Sequence, residues 1–309
     1  MKQRAVVFAG QGAQAVGMGQ DLAEAFPACR ALFDRASAVL GYDLAQLCFA
    51  GPIEELTRTD RCQPAIFVVS VACYTALMQA RPDLKWAGMA GLSLGEWTAL
   101  HAAGVLSFED AVRLLQARGR FMQEACDERK GGMGSVMGLA LPEVEKIAAA
   151  AGVQVANLNA PDQTVLSGAW DPIQAADKAA QAAGAKRTVM LTVAGAYHSA
   201  LMASAAAKLA QALAGVTLRP PAVPVVANVN GQPHGAPDAI RRLMVQQVTS
   251  PVRWLDDVQW FRGAGVTEFV ECGPGKVLAS LIKRIDKEAV VHSIQDRVTL
   301  DKAVAALQA

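Results

Sequence analysis

Charge is scarce in this 309-residue chain. Lys, Arg, Asp and Glu together make up 18% of it, and 29 basic against 28 acidic residues leave a formal net charge of +1. No global basic field exists to gather nucleic acid, so that partner class is excluded. Paired cysteines are missing as well. Cys29, Cys48, Cys62, Cys73, Cys126 and Cys272 are scattered, and none lies in a C-x-x-C pair. Neither a zinc site nor a disulfide framework is implied, and no metal is expected; buried free thiols in a reducing compartment are. No apolar run reads as long and uninterrupted enough to span a membrane, since Pro64, Ser70 and Gln79 break the 64–80 region. The opening MKQRAVVFAGQG has no h-region and no cleavage site, so no signal peptide is read and a cytoplasmic location is expected. No internal repeat or low-complexity tract stands out.

What is abundant is apolar: 52% of residues are hydrophobic, with 26 glycines. That supports one large core, or a core plus a smaller domain, in an α/β protein. The stretch KWAGMAGLSLGEWTALHAAGVL, from Lys85 to Leu106, organises the rest. It carries Gly91-Leu92-Ser93-Leu94-Gly95 between an apolar run (Trp86 to Ala90) and an apolar segment that begins at Glu96. Strand, sharp turn and helix are the context of a nucleophile elbow. The glycines relieve collisions that Cβ atoms would cause in so tight a turn. Ser93 would project its hydroxyl from the sheet, and the Leu94 N–H would face a developing oxyanion. A bare G-x-S-x-G also occurs as a plain strand–helix turn, so the remaining chain must decide.

Ala5 to Ala9 reads as a first buried strand. The loop after it, Gly10-x-Gly12-x-x-Ala15, resembles a dinucleotide fingerprint but lacks the acidic residue that should end a second strand. The alternative is a loop whose backbone and Gln11 amide face a site. Helical periodicity runs from Phe26 to Leu40 and stops at Gly41, a C-cap. Asp60 to Met78 reads as a buried helix entered near Pro64. Ser107-Phe108-Glu109-Asp110 reads as a capping box opening a helix to about Cys126. Arg113, Arg118 and Arg120 on that helix each read, alone, as part of a solvated face.

From Gly131 the texture changes. Strand (Ser135–Leu139), helix (Pro142–Ala151), strand (Val153–Leu158), strand (Gln163–Ser167), helix (Asp171–Gly184) and strand (Ala185–Val193) make the ferredoxin-like βαββαβ order. Residues 131–195 are therefore expected to form an inserted small domain, with 1–130 and 196–309 as an α/β core with a mainly parallel sheet. Helices over Leu201–Ala214, Ile240–Val248, Trp254–Phe261 and Lys276–Lys287 and strands over Val223–Asn228, Thr267–Glu271 and Ala289–Ile294 complete the core.

An activated serine needs a base within hydrogen-bond reach. His101, eight residues past Ser93 on one helix, is about 12 Å away in rise alone. His234 sits in a Gly/Pro turn and reads as surface. His292 lies in a strand and reads as a core or edge histidine. His198 follows a strand and precedes a helix, where parallel α/β sheets present catalytic groups. Ser before His along the chain is also the α/β-hydrolase order. No acid adjoins His198, so no third triad member is visible.

The motifs then become specific. Phe8-Ala9-Gly10-Gln11-Gly12-Ala13-Gln14, Gly91-Leu92-Ser93-Leu94-Gly95-Glu96, Gln116-Ala117-Arg118-Gly119, Asn157-Leu158-Asn159-Ala160-Pro161 with Val165-Leu166-Ser167-Gly168, Ala196-Tyr197-His198-Ser199, and Gln247 ahead of Ser250-Pro251-Val252-Arg253-Trp254 fall in one order along nearly the whole chain. In this the sequence resembles malonyl-CoA:acyl-carrier-protein transacylases, the acyltransferase family of fatty-acid and polyketide synthesis. The resemblance implies an α/β-hydrolase-like core with a ferredoxin-like insert. It implies transfer of a malonyl group from coenzyme A to the phosphopantetheine thiol of acyl carrier protein, with ping-pong kinetics and no bound cofactor. Ser93 and His198 would be catalytic, with the imidazole held by the main-chain carbonyl of Gln247. The N–H groups of Gln11 and Leu94 would form the oxyanion hole. Arg118 would hold the malonyl carboxylate, and Gln247, Asn159 and Tyr197 would join it in binding substrate. Two residues depart from the family pattern: Leu92 stands where a histidine is usual, and Tyr197 where phenylalanine is commoner. A monomer is expected. Lys186 with Arg187, or Lys283 with Arg284, would meet an acidic carrier. A malonate-decarboxylase subunit, a stand-alone polyketide acyltransferase and a serine esterase stay open as alternatives.

Overall fold

The structure, a computed structural model, describes residues 3–307. Met1 and Lys2, the head of the segment read as leaderless, lie outside the described residues. The strands in chain order are β1 (Gln3–Phe8), β2 (Gly88–Gly91), β3 (Gly131–Met137), β4 (Gln154–Ala160), β5 (Gln163–Ala169), β6 (Arg187–Met190), β7 (Val226–Ala227), β8 (Gln232–Pro233), β9 (Val266–Cys272) and β10 (Val290–Ile294).

β1 is a run of apolar residues because both of its faces are covered. It lies inside a four-stranded sheet of order β10-β9-β1-β2, in which every pairing is parallel. Its side chains alternate between two cores, as the period of two demands. Val6 and Phe8 enter the core that contains the Thr59–Ala80 and Phe108–Glu128 helices, while Ala5 and Val7 meet Val258, Phe261, Leu278 and Ile282 of the Trp254–Gly263 and Val277–Ile285 helices. A bridge from Met89 to Val225 continues the sheet beyond β2.

β3 to β6 form a second sheet of order β4-β5-β3-β6, antiparallel throughout. The Leu141–Ala151 and Trp170–Ala182 helices bring Val144, Ile173 and Ala176 onto Val136 and Leu166 in a core of its own. A chain alternating strands with helices thus builds a mixed α/β protein with a mainly parallel first sheet.

Gly41 caps the Pro27–Leu40 helix in the left-handed conformation expected of it, and Ser107 caps Phe108–Glu128 by accepting the Asp110 N–H at 3.1 Å. Three expectations need correction. The long core helix, read over Asp60 to Met78, runs Thr59–Ala80, and it is already helical before Pro64, which lies inside it and not at its entry. Proline removes one hydrogen bond near a helix start, and burial of the helix from Cys62 to Cys73 outweighs that loss. The same Thr59–Ala80 helix is long and apolar enough, by length and composition alone, to cross a membrane, contrary to the sequence reading. Its apolar length instead fills the protein interior, against β1 and Phe108–Glu128. The turn at 230–235 is also more than a turn: β8 pairs with β7 there and turns His234 inward.

Candidate active site

β1, β2 and β9 end together, with Phe8 opposite Gly91 and Cys272. Loops after parallel strands collect at this end, which is where such sheets carry their sites. β2 leads through Ser93 into the Leu94–Ala102 helix. Gly95 passes so close to β1 that a Cβ on it would overlap the Phe8 carbonyl, and a Cβ on Gly91 would overlap Gly95 itself. Ser93 (φ 55°) and His198 (φ 58°) are the two non-glycine residues with positive φ among the described residues. Such a backbone costs about 1–3 kcal/mol per residue and persists only where the surroundings impose it.

These two strained residues meet. Ser93 Oγ lies 2.9 Å from His198 Nε2. His198 Nδ1 lies 2.8 Å from the Gln247 carbonyl. A carbonyl only accepts, so Nδ1 carries the proton and Nε2 offers its lone pair to the serine hydroxyl. Burial and then the nearby Arg118 charge pull the His198 pKa down to about 4, against hydrogen bonds to the backbone of Gln247 and Ser250. The imidazole is therefore a neutral base at pH 7.

Arg118 is not on a solvated face. It is 1% exposed, whereas Arg113 and Arg120 do lie outside in ion pairs with Asp110 and Glu124. The Phe108–Glu128 helix aims it inward, where Nη1 donates to Gln63 Oε1 at 2.8 Å and Nη2 to Ser93 Oγ and Gln247 Oε1, both at 3.1 Å. Desolvation lowers its pKa to about 10, opposed by the charge of Glu96, so it stays a cation at neutral pH. Its Nε–H is buried with no partner among the described residues. A buried guanidinium with a spare donor beside a serine hydroxyl is suited to an anionic group.

The other expected residues divide. Leu94 is the first residue of its helix, so its N–H has no intrahelical acceptor. Gln11 sits in the loop leaving β1, beside the elbow, where the Leu92 N–H donates to the Phe8 carbonyl at 3.4 Å. Its side chain reaches Thr59 Oγ1 at 3.5 Å, and Thr59 in turn meets the Tyr197 hydroxyl at 2.8 Å. That hydroxyl is thus committed to a neighbour, and burial pushes its pKa to about 12. Asn159 lies at an irregularity in β4, its Oδ1 buried without a hydrogen-bond partner among the described residues. Leu92 is half-buried against the second core cluster. Of the remaining histidines, His101 bonds the Leu106 carbonyl at 3.0 Å and His292, on β10, faces Glu268 of β9 at 3.3 Å.

A polar cluster beneath the elbow completes the geometry. Asn228 Oδ1 accepts the Ser93 N–H at 2.7 Å, and its Nδ2 donates to the Gly91 carbonyl at 2.9 Å and to Asp257 Oδ2 at 2.8 Å. Burial first, and then the Glu96 charge, hold the Asp257 carboxyl well above the usual carboxylate range. Gln247 Nε2 donates to the Ser93 carbonyl at 2.9 Å and to Glu96 Oε2 at 2.6 Å. His234, expected at the surface, is buried with Nε2 2.6 Å from Glu96 Oε1.

Comparison with known proteins places the whole chain in a family. Residues 5–302 match the acyl transferase domain family. The chain belongs to the acyl transferase family. The malonyl CoA-acyl carrier protein transacylase of Escherichia coli (strain K12) is 46% identical over 289 residues, 92% of this chain and 93% of that protein. The protein so named from Bacillus subtilis (strain 168) is 39% identical over 315 residues, 100% of this chain and 98% of its own length. Among solved structures, the Coxiella burnetii malonyl CoA-acyl carrier protein transacylase has a TM-score of 0.96 at 38% identity, covering 100% of this chain and 98% of that one. A malonyl-transacylase complex with its type II PKS acyl-carrier protein has a TM-score of 0.95 at 40% identity, covering 99% and 100%.

Within this acyl transferase, the motifs marked Ser93, His198, Arg118 and Gln247, and the fold brings those four together. They did not mark Gln63, Asn228, His234 or Asp257. Glu96 lay inside the elbow motif without a role attached. A signal for Asn228 existed in its place just after a short apolar strand, at the strand end where sites collect. The two basic pairs also converge. Arg284 binds Asp162 at 2.7 Å, the Asp162 carbonyl accepts the Gly138 N–H, and Lys186 packs where a side chain on Gly138 would sit.

Proposed function

We propose that this acyl transferase moves a malonyl group from coenzyme A to the phosphopantetheine thiol of an acyl carrier protein in fatty-acid synthesis, through an ester on Ser93. The observation that carries this reading is the meeting of base and cation on one hydroxyl: His198 Nε2 at 2.9 Å and Arg118 Nη2 at 3.1 Å from Ser93 Oγ. Ser93 Oγ attacks the thioester carbonyl while His198 Nε2 takes its proton. The Gln11 and Leu94 N–H groups receive the oxyanion. The C–S bond then breaks, and the departing thiolate takes the proton from His198. In the second half, the carrier thiol gives its proton to His198 and attacks the ester, and Ser93 leaves with that proton restored. The Gln247 carbonyl stands where a triad acid would, so serine and histidine act as a dyad. Arg118 pairs the malonyl carboxylate through its unpartnered Nε–H and one Nη, with Gln247, Tyr197 and Asn159 completing the substrate-binding set.

The antiparallel sheet over 131–195 is read as a ferredoxin-like insertion into an α/β-hydrolase-like core formed by 1–130 and 196–309. The enzyme is read as a cytoplasmic monomer that needs no bound cofactor. Delivery to a polyketide carrier is the second reading, favoured by the likeness to the type II PKS complex.

Intact mass spectrometry after incubation with malonyl-, methylmalonyl- and acetyl-CoA tests the proposal. The wild type should retain malonyl on Ser93, and Ser93→Ala should retain nothing. A stable malonyl ester on Ser93→Ala, or retention of acetyl alone by the wild type, refutes it.

A further inference from the structure

The steps above leave one buried contact unused. Glu96 and His234 meet at 2.6 Å with both side chains 0% exposed. Glu96 lies in the first turn of the elbow helix and His234 just beyond β8. The other oxygen of Glu96 takes Gln247 Nε2 at 2.6 Å and the Asn228 N–H at 3.2 Å.

Gln247 Nε2 faces three groups: Glu96 Oε2, the Ser93 carbonyl, and, at 3.4 Å, Asn228 Oδ1. A carboxylate, a carbonyl and an amide oxygen only accept. The amide nitrogen must therefore face them, which turns Gln247 Oε1 toward Arg118 Nη2. The main-chain carbonyl of the same residue takes His198 Nδ1. One glutamine thus orients both the base and the guanidinium, and a pinned Glu96 fixes which way it faces.

We propose that His234 is a positioning residue: by clamping Glu96, it holds the Gln247 amide in the orientation that brings His198 and Arg118 together on Ser93. Without the His234 N–H, one oxygen of a buried carboxylate loses its donor. Glu96 then turns away, the Gln247 amide nitrogen loses the acceptor that holds it, and the amide flips and sets an NH₂ group against Arg118.

The substrate readout rests on the acyl-transfer reading, so the test carries a second readout that does not. His234→Leu removes the donor, while His234→Gln keeps an N–H the same number of bonds from Cβ. Each is assayed by single-turnover acylation with malonyl-CoA and acetyl-CoA, and by the rate at which a fluorophosphonate labels Ser93, well below the measured melting temperature. His234→Leu should lose about 10²-fold in malonyl acylation, the scale of a small misplacement of reacting groups, and lose less with acetyl-CoA. His234→Gln should recover most of both the malonyl rate and the labelling rate. Equal rates for the two variants, or equal losses with the two donors, overturn the proposal. If the wild type labels but accepts no malonyl, the acyl-transfer reading fails, and the labelling rates still decide the role of His234: slow Leu with recovered Gln supports it, equal rates refute it. Should His234→Leu not fold, Glu96→Gln replaces it. An amide there meets Gln247 and Asn228 with a donor, or forces a His234 tautomer whose Nδ1–H has no acceptor among the described residues. The same loss is expected, and an undiminished malonyl rate overturns the clamp.

Discussion

Arg118→Ala removes the guanidinium that lies 3.1 Å from Ser93 Oγ. Burial has already weakened the hold of that group on its proton, taking its pKa down to about 10. That net shift corresponds to roughly 3 kcal/mol against the charged form, after the favourable charge of Glu96 has offset part of the lost hydration. A carboxylate docked on the guanidinium compensates that loss through two charge-assisted hydrogen bonds. With alanine, a malonyl carboxylate enters the same dry site unpaired. Stranding one member of a buried pair costs about 3–5 kcal/mol, or roughly a 10²–10³-fold loss in malonyl transfer. Acetyl has no charge to strand, so its use falls little or rises. The apo protein loses the donor to Gln63 and Gln247, at about 1–3 kcal/mol for each stranded acceptor, while relief of the buried charge offsets much of this. Stability is therefore expected to change far less than malonyl transfer does. The assay is kcat/KM for both donors in wild type, Arg118→Ala and Arg118→Lys, with melting temperatures alongside. Lysine, a point charge without the fork, keeps only part of the preference. Equal falls for both donors would show that Arg118 supports the fold and that another residue reads the carboxylate.

Because His198 titrates near 4, only its protonated form at acid pH is unable to accept the serine proton. Ser93 acylation should rise with pH through about 4 and stay flat to neutrality; a pH–rate midpoint at the ordinary histidine value counts against a buried neutral base. Asp257 is raised instead, so its contribution to stability is complete at acid pH and is lost as pH rises through its folded-state pKa. Asp257→Asn, which keeps an acceptor for Asn228, should flatten the fall of melting temperature as pH rises above the ordinary carboxylate range, and an unchanged slope refutes this. Gly95→Ala forces β1 and the elbow apart at about 1–3 kcal/mol and misplaces Ser93; a fully active variant with an unchanged urea midpoint contradicts the close approach. Charge reversal to glutamate at Lys186 and Arg187, or at Lys283 and Arg284, should slow transfer to the carrier without slowing self-acylation, and unchanged carrier kinetics in both variants dismisses that surface.

Much of this was legible in the chain itself. β1 could be read from its apolar run because it is covered on both faces, and the elbow from glycines that its close approach requires. βαββαβ order was visible because each element there is short, local and bounded by turn residues. His198 stood out by its place between a strand and a helix. Arg118 did not: its own helix made it one of several arginines, and only the resemblance marked it. Boundaries shifted where tertiary burial overrode a local signal, as at Pro64 inside the Thr59–Ala80 helix.

The sequence by itself singled out Ser93, His198 and the order of strands and helices, since each rests on neighbours a few residues away. Only the tertiary structure decided what surrounds them. Glu96 meets His234 across 138 positions, and Ser93 meets Asn228 across 135. No local pattern announces such a pair, because a buried polar group is satisfied by whichever partner the fold delivers, however distant in the chain. His234 read as surface for that reason: its glycine- and proline-rich turn describes the backbone, whereas its burial is set by the elbow helix packed against it.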